Sequence, residues 1–257
     1  MIVLEDKKTV RMHSLMRQHL RWIALLVMTA WIVPMAAAQD STEGCWQWTK
    51  SDLASTVKGI PGMFRDIPGG VAHGDYKWLV PVALGAGLLI GTHADQRATS
   101  HITNVPSEQR ARNVSNGLIV GEFAGVGLTY LVGCRAHSHL GKAAFHALEA
   151  AGLAATSTGI LKTTFRREYP NTPGGDGRFW HSGTIAGSFP SGHTANTFAL
   201  ASAFANEYPH NKWVAIAGYS LAIAVSGLRF AGKTHFPSEL LVGGAIGYPI
   251  GRRLGGQ

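Results

Sequence analysis

Cysteine is scarce in this chain. Its 257 residues include only Cys45 and Cys134, too few to build a zinc site alone, and neither HExxH nor a paired CxxC occurs. Charge is scarce too: 15% of residues are charged against 46% apolar, a balance that excludes a disordered chain. Strand-like alternation of useful length is absent, as are a fixed-period repeat and any low-complexity tract, so the expected fold is all-α. Long uncharged runs are also lacking in the body of the chain. Trp78–Thr92 has 15 residues, Trp213–Leu228 has 16 and Leu240–Gly251 has 12. Each falls short of the ~18–20 residues of a membrane span, so the expectation is a bundle touching a membrane rather than one buried in it.

What is present begins with a leader. Lys7, Lys8, Arg11, Arg17 and Arg21 precede the uncharged run from Trp22 to Met35, and Ala36-Ala37-Ala38 offers a cleavage site. Residues 1–38 therefore read as a secretory signal peptide, and the protein as exported to the periplasm, with membrane association or embedding left open. Removing the leader's five Lys/Arg and two Asp/Glu from the chain's 23 and 15 leaves 18 against 13, a balance of +5. That suits an anionic substrate and is too weak and too dispersed for a nucleic-acid partner. Export also permits a disulfide between Cys45 and Cys134.

Residues 39–77 form a loop-rich N-terminal segment holding Pro61, Pro68, Gly69 and Gly70, with one short helix around Ser51–Lys58. Residues 78–257 form the helical domain. Six helices are expected, at Trp78–Thr92, Val114–Gly133, Lys142–Arg166, His193–Asn206, Lys212–Leu228 and Ser238–Arg252. His93 and Asp95 read as cap or loop polars after the first. An antiparallel bundle then brings three polar clusters to one pole: Lys162–Pro170, Pro190–His193 and Arg229–Glu239.

The middle cluster, Pro190-Ser191-Gly192-His193, opens a helix. The free N–H groups of a first helical turn attract an anion, Gly192 lets it approach the backbone, Ser191 caps the helix or donates to the anion, and His193 can move a proton there. These residue types point to phosphate chemistry.

In register, the three clusters resemble the type-2 phosphatidic acid phosphatase superfamily, which also includes vanadium haloperoxidases. That pattern is a Lys, six residues and Arg-Pro; then Pro-Ser-Gly-His; then Arg, five residues, His, three residues and Asp. Lys162 and Pro170 match the first part, Pro190–His193 the second, and Arg229 and His235 the third. Tyr169 stands in place of the Arg and Glu239 in place of the Asp. Arg166, four residues after Lys162, is the expected substitute for the missing cation, and Arg167 the less well-directed one. The resemblance implies a helical bundle with the site at one pole and a metal-independent, acid-phosphatase-type hydrolase acting on a phosphomonoester or pyrophosphate, first of all a lipid phosphate. His235 would be the nucleophile, forming a phosphohistidine, and Glu239 would orient it. His193 would be the acid/base. Lys162, Arg229, Ser191 and Gly192 would hold the phosphoryl group, with Arg166 and Tyr169 beside them. No cofactor or metal is implied, vanadate entering only under the haloperoxidase alternative. A weakened, lipid-binding envelope protein is a further alternative.

Overall fold

The computed structural model describes residues 49–59, 61, 77–136, 138–174 and 176–256. All belong to residues 45–257, one of two compact units in the chain. The expected leader 1–38, Cys45 and most of the segment 39–77 lie outside the described residues. Residues 49–59 are helical. Seven further helices follow: α1 (Leu79–Gly91), α2 (Ala94–Ser100), α3 (Val105–Arg135), α4 (His139–Phe165), α5 (Gly192–Glu207), α6 (Lys212–Ala231) and α7 (Pro237–Leu254). Among the described residues no strand occurs, and the fold is all-α.

Side-chain caps explain several starts. Asn104, Ser138, Ser191 and Asn211 accept from the backbone N–H groups of Ser107, Gly141, Thr194 and Trp213, each satisfying a donor that the first turn leaves unpaired. Asn104 and Pro106 start α3 at Val105 rather than at the expected Val114. At the other end of the next helix, Arg166 takes a left-handed conformation with φ 42° and stops α4 at Phe165.

Helix α5 lies at the centre, packed on α4, α6 and α7. The core is built from small side chains. Ala147, Ala150, Ala151 and Ala154 of α4 meet Ala195, Ala199 and Ala203 of α5. Against these, α7 presents Gly243, Gly247 and Gly251 at four-residue spacing. A methyl group at 247 would run into the Ala195 carbonyl, and one at 251 into the Ala199 carbonyl. Such close backbone approach is the packing that helices adopt in lipid.

The large apolar side chains lie outside. Leu84, Leu88, Val120, Leu131, Ile216 and Ile223 are all exposed, the reverse of a water-soluble bundle. Among the described residues two helices are long and apolar enough to cross a membrane. α3 and α6 each contain an 18-residue window of mean hydropathy 1.6, of which 11% and 17% respectively is buried. This corrects the expectation that no helix reaches span length. Glu122 interrupts α3 as a charge, but its Oε2 is buried in the protein, so a lone carboxylate does not end the apolar stretch of the helix.

Candidate functional site

Four helix ends and one helix flank meet at one pole. Lys162 comes from the last turn of α4, Ser191 to His193 from the start of α5, Arg229 from the last turn of α6, and Glu239 from the first turn of α7. His235 lies in the short connection before α7, and Ser115 and Asn116 reach in from α3.

His235 and Glu239 form the centre. The imidazole Nδ1 lies 2.7 Å from Glu239 Oε2, and the two residues are 2% and 0% exposed. Their separation along α7's entry is one helical turn, which is why a carboxylate at 239 can reach back to 235. Glu239 also accepts from the Phe236 backbone N–H and the Ser188 hydroxyl. Burial pushes its carboxyl up to about 7, against Arg167, Ser188 and Lys162, which favour the ionised form. Burial, with Lys162 and Arg229 nearby, holds His235 well below the usual histidine range. The pair therefore favours a neutral imidazole whose Nδ1–H donates to Glu239, leaving the Nε2 lone pair unprotonated.

Cations and donors surround this pair. Lys162 Nζ donates to the carbonyls of Gly187 and Ser188 at 3.1 and 2.8 Å, and burial lowers its ammonium to about 8. Gly192 sits against it: a side chain there would meet Lys162 Cε at 3.8 Å. Ser191 is fully buried, and its Oγ accepts the Thr194 N–H. Arg229 Nη1 donates to Asn116 Oδ1 at 2.9 Å and to Ser115 Oγ at 3.3 Å, whereas its Nε is buried with no partner among the described residues. A buried guanidinium with an unused N–H is prepared for an anion, because an unpaired buried donor is otherwise costly. His193 Nε2 lies 3.1 Å from Asn116 Oδ1. Burial, then Arg229, His235 and Lys162, lower this imidazole to about 4.

Tyr169 lines the same cluster. Its hydroxyl donates to Gly187 O at 3.2 Å, its ring centroid is 6.3 Å from that of His235, and Lys162 Nζ is 5.9 Å from the ring. Arg166 does not join it. Because α4 ends one residue earlier, Arg166 leaves the helical face of Lys162. It is exposed, and its guanidinium donates to Ser182 O at 3.1 Å. The cation that does lie near the centre is Arg167, fully buried behind Glu239 at 3.4 Å and not directed as a phosphate ligand.

Sequence reasoning missed three residues. Arg167 pairs with Asp95 at 2.9 Å, and its Nη1 donates to Ser238 Oγ at 2.9 Å. Asp95 accepts the Ser238 backbone N–H at 3.0 Å and pairs with the Ser238 hydroxyl. Asp95 is thus a buried anchor for the start of α7, not a surface cap. Asn116 is the third, and its place in the middle of an apolar helix was the available signal. Cys134 is disulfide-bonded. Among the described residues no group of three or more His, Cys, Asp or Glu is set to hold a metal ion.

Comparison with known proteins follows this geometry. A lipid A 1-phosphatase of Porphyromonas gingivalis is 41% identical over 76 residues, which is 29% of this chain and 17% of that protein. The chain therefore spans about a sixth of that relative's length. The crystal structure of a transmembrane PAP2-type phosphatidylglycerolphosphate phosphatase from Bacillus subtilis aligns with a TM-score of 0.47 at 18% identity, covering 70% of this chain and 91% of that one. Residues 143–254, which hold Lys162, His193, Arg229, His235 and Glu239, match the family model of the PAP2 superfamily.

Proposed function

We propose that this protein is a membrane-embedded phosphatase that removes phosphate from a lipid phosphate through a phosphohistidine at His235. One observation carries the reading: a buried imidazole held by a carboxylate at 2.7 Å faces a ring of donors from Lys162, Arg229 and the start of α5. His235 Nε2 attacks phosphorus while the bond to the leaving oxygen breaks, and His193 delivers a proton to that oxygen. Glu239 stabilises the imidazolium that forms as the N–P bond is made. Lys162, the free Arg229 N–H and the Gly192 backbone hold the equatorial oxygens, whose charge is what the site must stabilise. A water then attacks phosphorus, gives its proton to His193, and releases phosphate with His235 restored. Burial, Arg229, His235 and Lys162, which hold His193 at about 4, favour its neutral form. An incoming phosphate dianion offsets Arg229 and Lys162 and restores the acid form needed for the first step.

The lipid part of the reading rests on placement. Asn116 lies near the start of the apolar stretch of α3 and Arg229 near the end of that of α6, and the two residues are hydrogen-bonded. The cluster lies near the ends of these two apolar stretches, which supports a substrate phosphate presented at the depth of lipid head groups. The lipid A 1-phosphatase relative supports a phosphorylated lipid as substrate.

The test is phosphate release by the full chain in detergent with chelator present. The panel is a lipid A-type glycolipid phosphate, phosphatidylglycerophosphate, phosphatidic acid and soluble esters. Release from a lipid, abolished by His235→Ala and accompanied by an alkali-stable, acid-labile phosphoenzyme, is expected. Full activity in His235→Ala would overturn the nucleophile.

A further inference from the structure

Between α6 and α7, beside the catalytic pole, lies a cavity of about 980 Å³. Its walls include Thr194 and Phe230, each one residue from His193 and Arg229, and Ile223, Gly227 and Leu241 further along. No ionisable carboxylate, amine or imidazole lines it. The hydroxyl of Thr194 is already engaged by that of Ser226, at 3.1 Å. The wall is mostly hydrocarbon and aromatic surface, its side-chain polar atoms being those of Thr194, Ser226, Trp78 and Tyr248, so it suits a hydrocarbon chain better than a sugar or a charged head group.

Its course is set by α7. The lining runs from Pro237, at the helix start, to Tyr248, about 16 Å at 1.5 Å per residue. Trp78 stacks edge-on against Tyr248, with ring centroids 5.3 Å apart, and closes the far end. Ile223 and Leu241, 63% and 43% exposed, stand at the side opening. That opening is continuous with the apolar outer face of α6, the face that a bilayer would cover. One end of the crevice, at Thr194, Phe230 and Pro237, thus lies on residues one or two positions from His193, Arg229 and His235, and its flank opens where lipid chains would lie.

We propose that this crevice holds one hydrocarbon chain of the lipid whose phosphate occupies the His235 site, and that it sets a preference for long-chain substrates. This rests on the lipid phosphatase reading. Gly227 makes the idea testable, because a side chain added there would meet nothing within 4 Å. Its Cβ would be free of neighbours, so leucine at 227 would project into the crevice and narrow it.

The experiment measures kcat/KM for phosphatidic acids of increasing chain length and for para-nitrophenyl phosphate, using the full chain in detergent with Gly227→Leu and Gly227→Ala. In the wild type kcat/KM rises with chain length. Gly227→Leu lowers the ratio of long-chain lipid to soluble ester by about tenfold or more, and Gly227→Ala keeps most of the preference. A wild-type chain-length series that is flat, or one that survives Gly227→Leu unchanged, overturns the crevice. Binding is read separately, by quenching of tryptophan fluorescence with a chain-brominated phosphatidic acid in His235→Ala. If no substrate is hydrolysed, the phosphatase reading fails, while quenching that depends on Gly227 still supports the crevice. Quenching equal in His235→Ala and in His235→Ala with Gly227→Leu removes it.

Discussion

Asn116 Oδ1 lies 3.1 Å from His193 Nε2 and accepts from Arg229 Nη1 at 2.9 Å. A guanidinium can only donate, so Arg229 fixes which end of the Asn116 amide faces the pair. The same oxygen then obliges His193 to present Nε2–H, leaving the lone pair on Nδ1. One side chain from α3, outside the matched family segment, thereby sets the tautomer of the acid/base residue and the direction of a phosphate ligand.

Asn116→Ala should lower kcat by about tenfold or more, since a misdirected acid/base loses much of its contribution. Asn116→Asp makes a sharper test. A carboxylate beside His193 raises an imidazole now held at about 4, so the protonated form persists to higher pH. The limb of kcat/KM that reports His193 should move upward in pH relative to wild type. A pH profile that keeps its shape in both variants would show that Asn116 only packs.

The buried pair of Arg167 and Asp95 predicts a stability effect. Arg167 bridges Asp95 and Glu239, all three fully buried, and lies over the ring of Phe236 at 4.2 Å. Removing one partner leaves uncompensated buried charge, which costs about 3–5 kcal/mol. Arg167→Ala should therefore lower the thermal midpoint in detergent sharply, and kcat with it, because Glu239 loses part of its anchor. A midpoint unchanged by Arg167→Ala would show that Phe236 and Ser188 alone hold the site.

These residues mark how far the sequence could be read. The six long helices follow from Gly, Pro and Asn punctuation and from apolar runs, and the register of Lys162, His193, Arg229 and His235 is a local spacing pattern. Asp95 and Arg167 are not legible in that way. Their contacts join positions 72 and 143 residues apart, and no spacing rule spans such distances. Asn116 lies inside the expected helix Val114–Gly133, but its partners His193 and Arg229 are 77 and 113 residues away, beyond any local spacing pattern. Arg166 was misread because helical periodicity was extended one residue past the true end of α4.

That misreading gives a direct prediction. Arg166→Ala removes a part-buried hydrogen bond from an exposed side chain to Ser182 O, a change worth about 1 kcal/mol or less. Phosphate release should stay within about twofold of wild type. Tyr169→Arg, by contrast, places a cation beside Lys162 and His235, and should lower KM for phosphate esters. If Arg166→Ala instead abolishes turnover, the loop must rearrange on binding substrate to bring that guanidinium in.

Lys162 supplies the clearest dependence on pH. Its ammonium is held at about 8, chiefly by burial, with Arg229 lowering and Glu239 raising it. Lysine binds phosphate only when charged, so the cation is present below that pH and is lost as pH rises through it. In the free enzyme kcat/KM should therefore fall above about pH 8. In the complex the bound dianion stabilises the ammonium, so kcat should hold to higher pH than kcat/KM. Lys162→Arg keeps its charge across the range, because guanidinium does not titrate below about pH 12. The variant should turn over more slowly than wild type, since a planar fork replaces a point charge, but its alkaline limb near pH 8 should disappear. If the limb persists in Lys162→Arg, the titrating group lies elsewhere and Lys162 is not the cation that sets it.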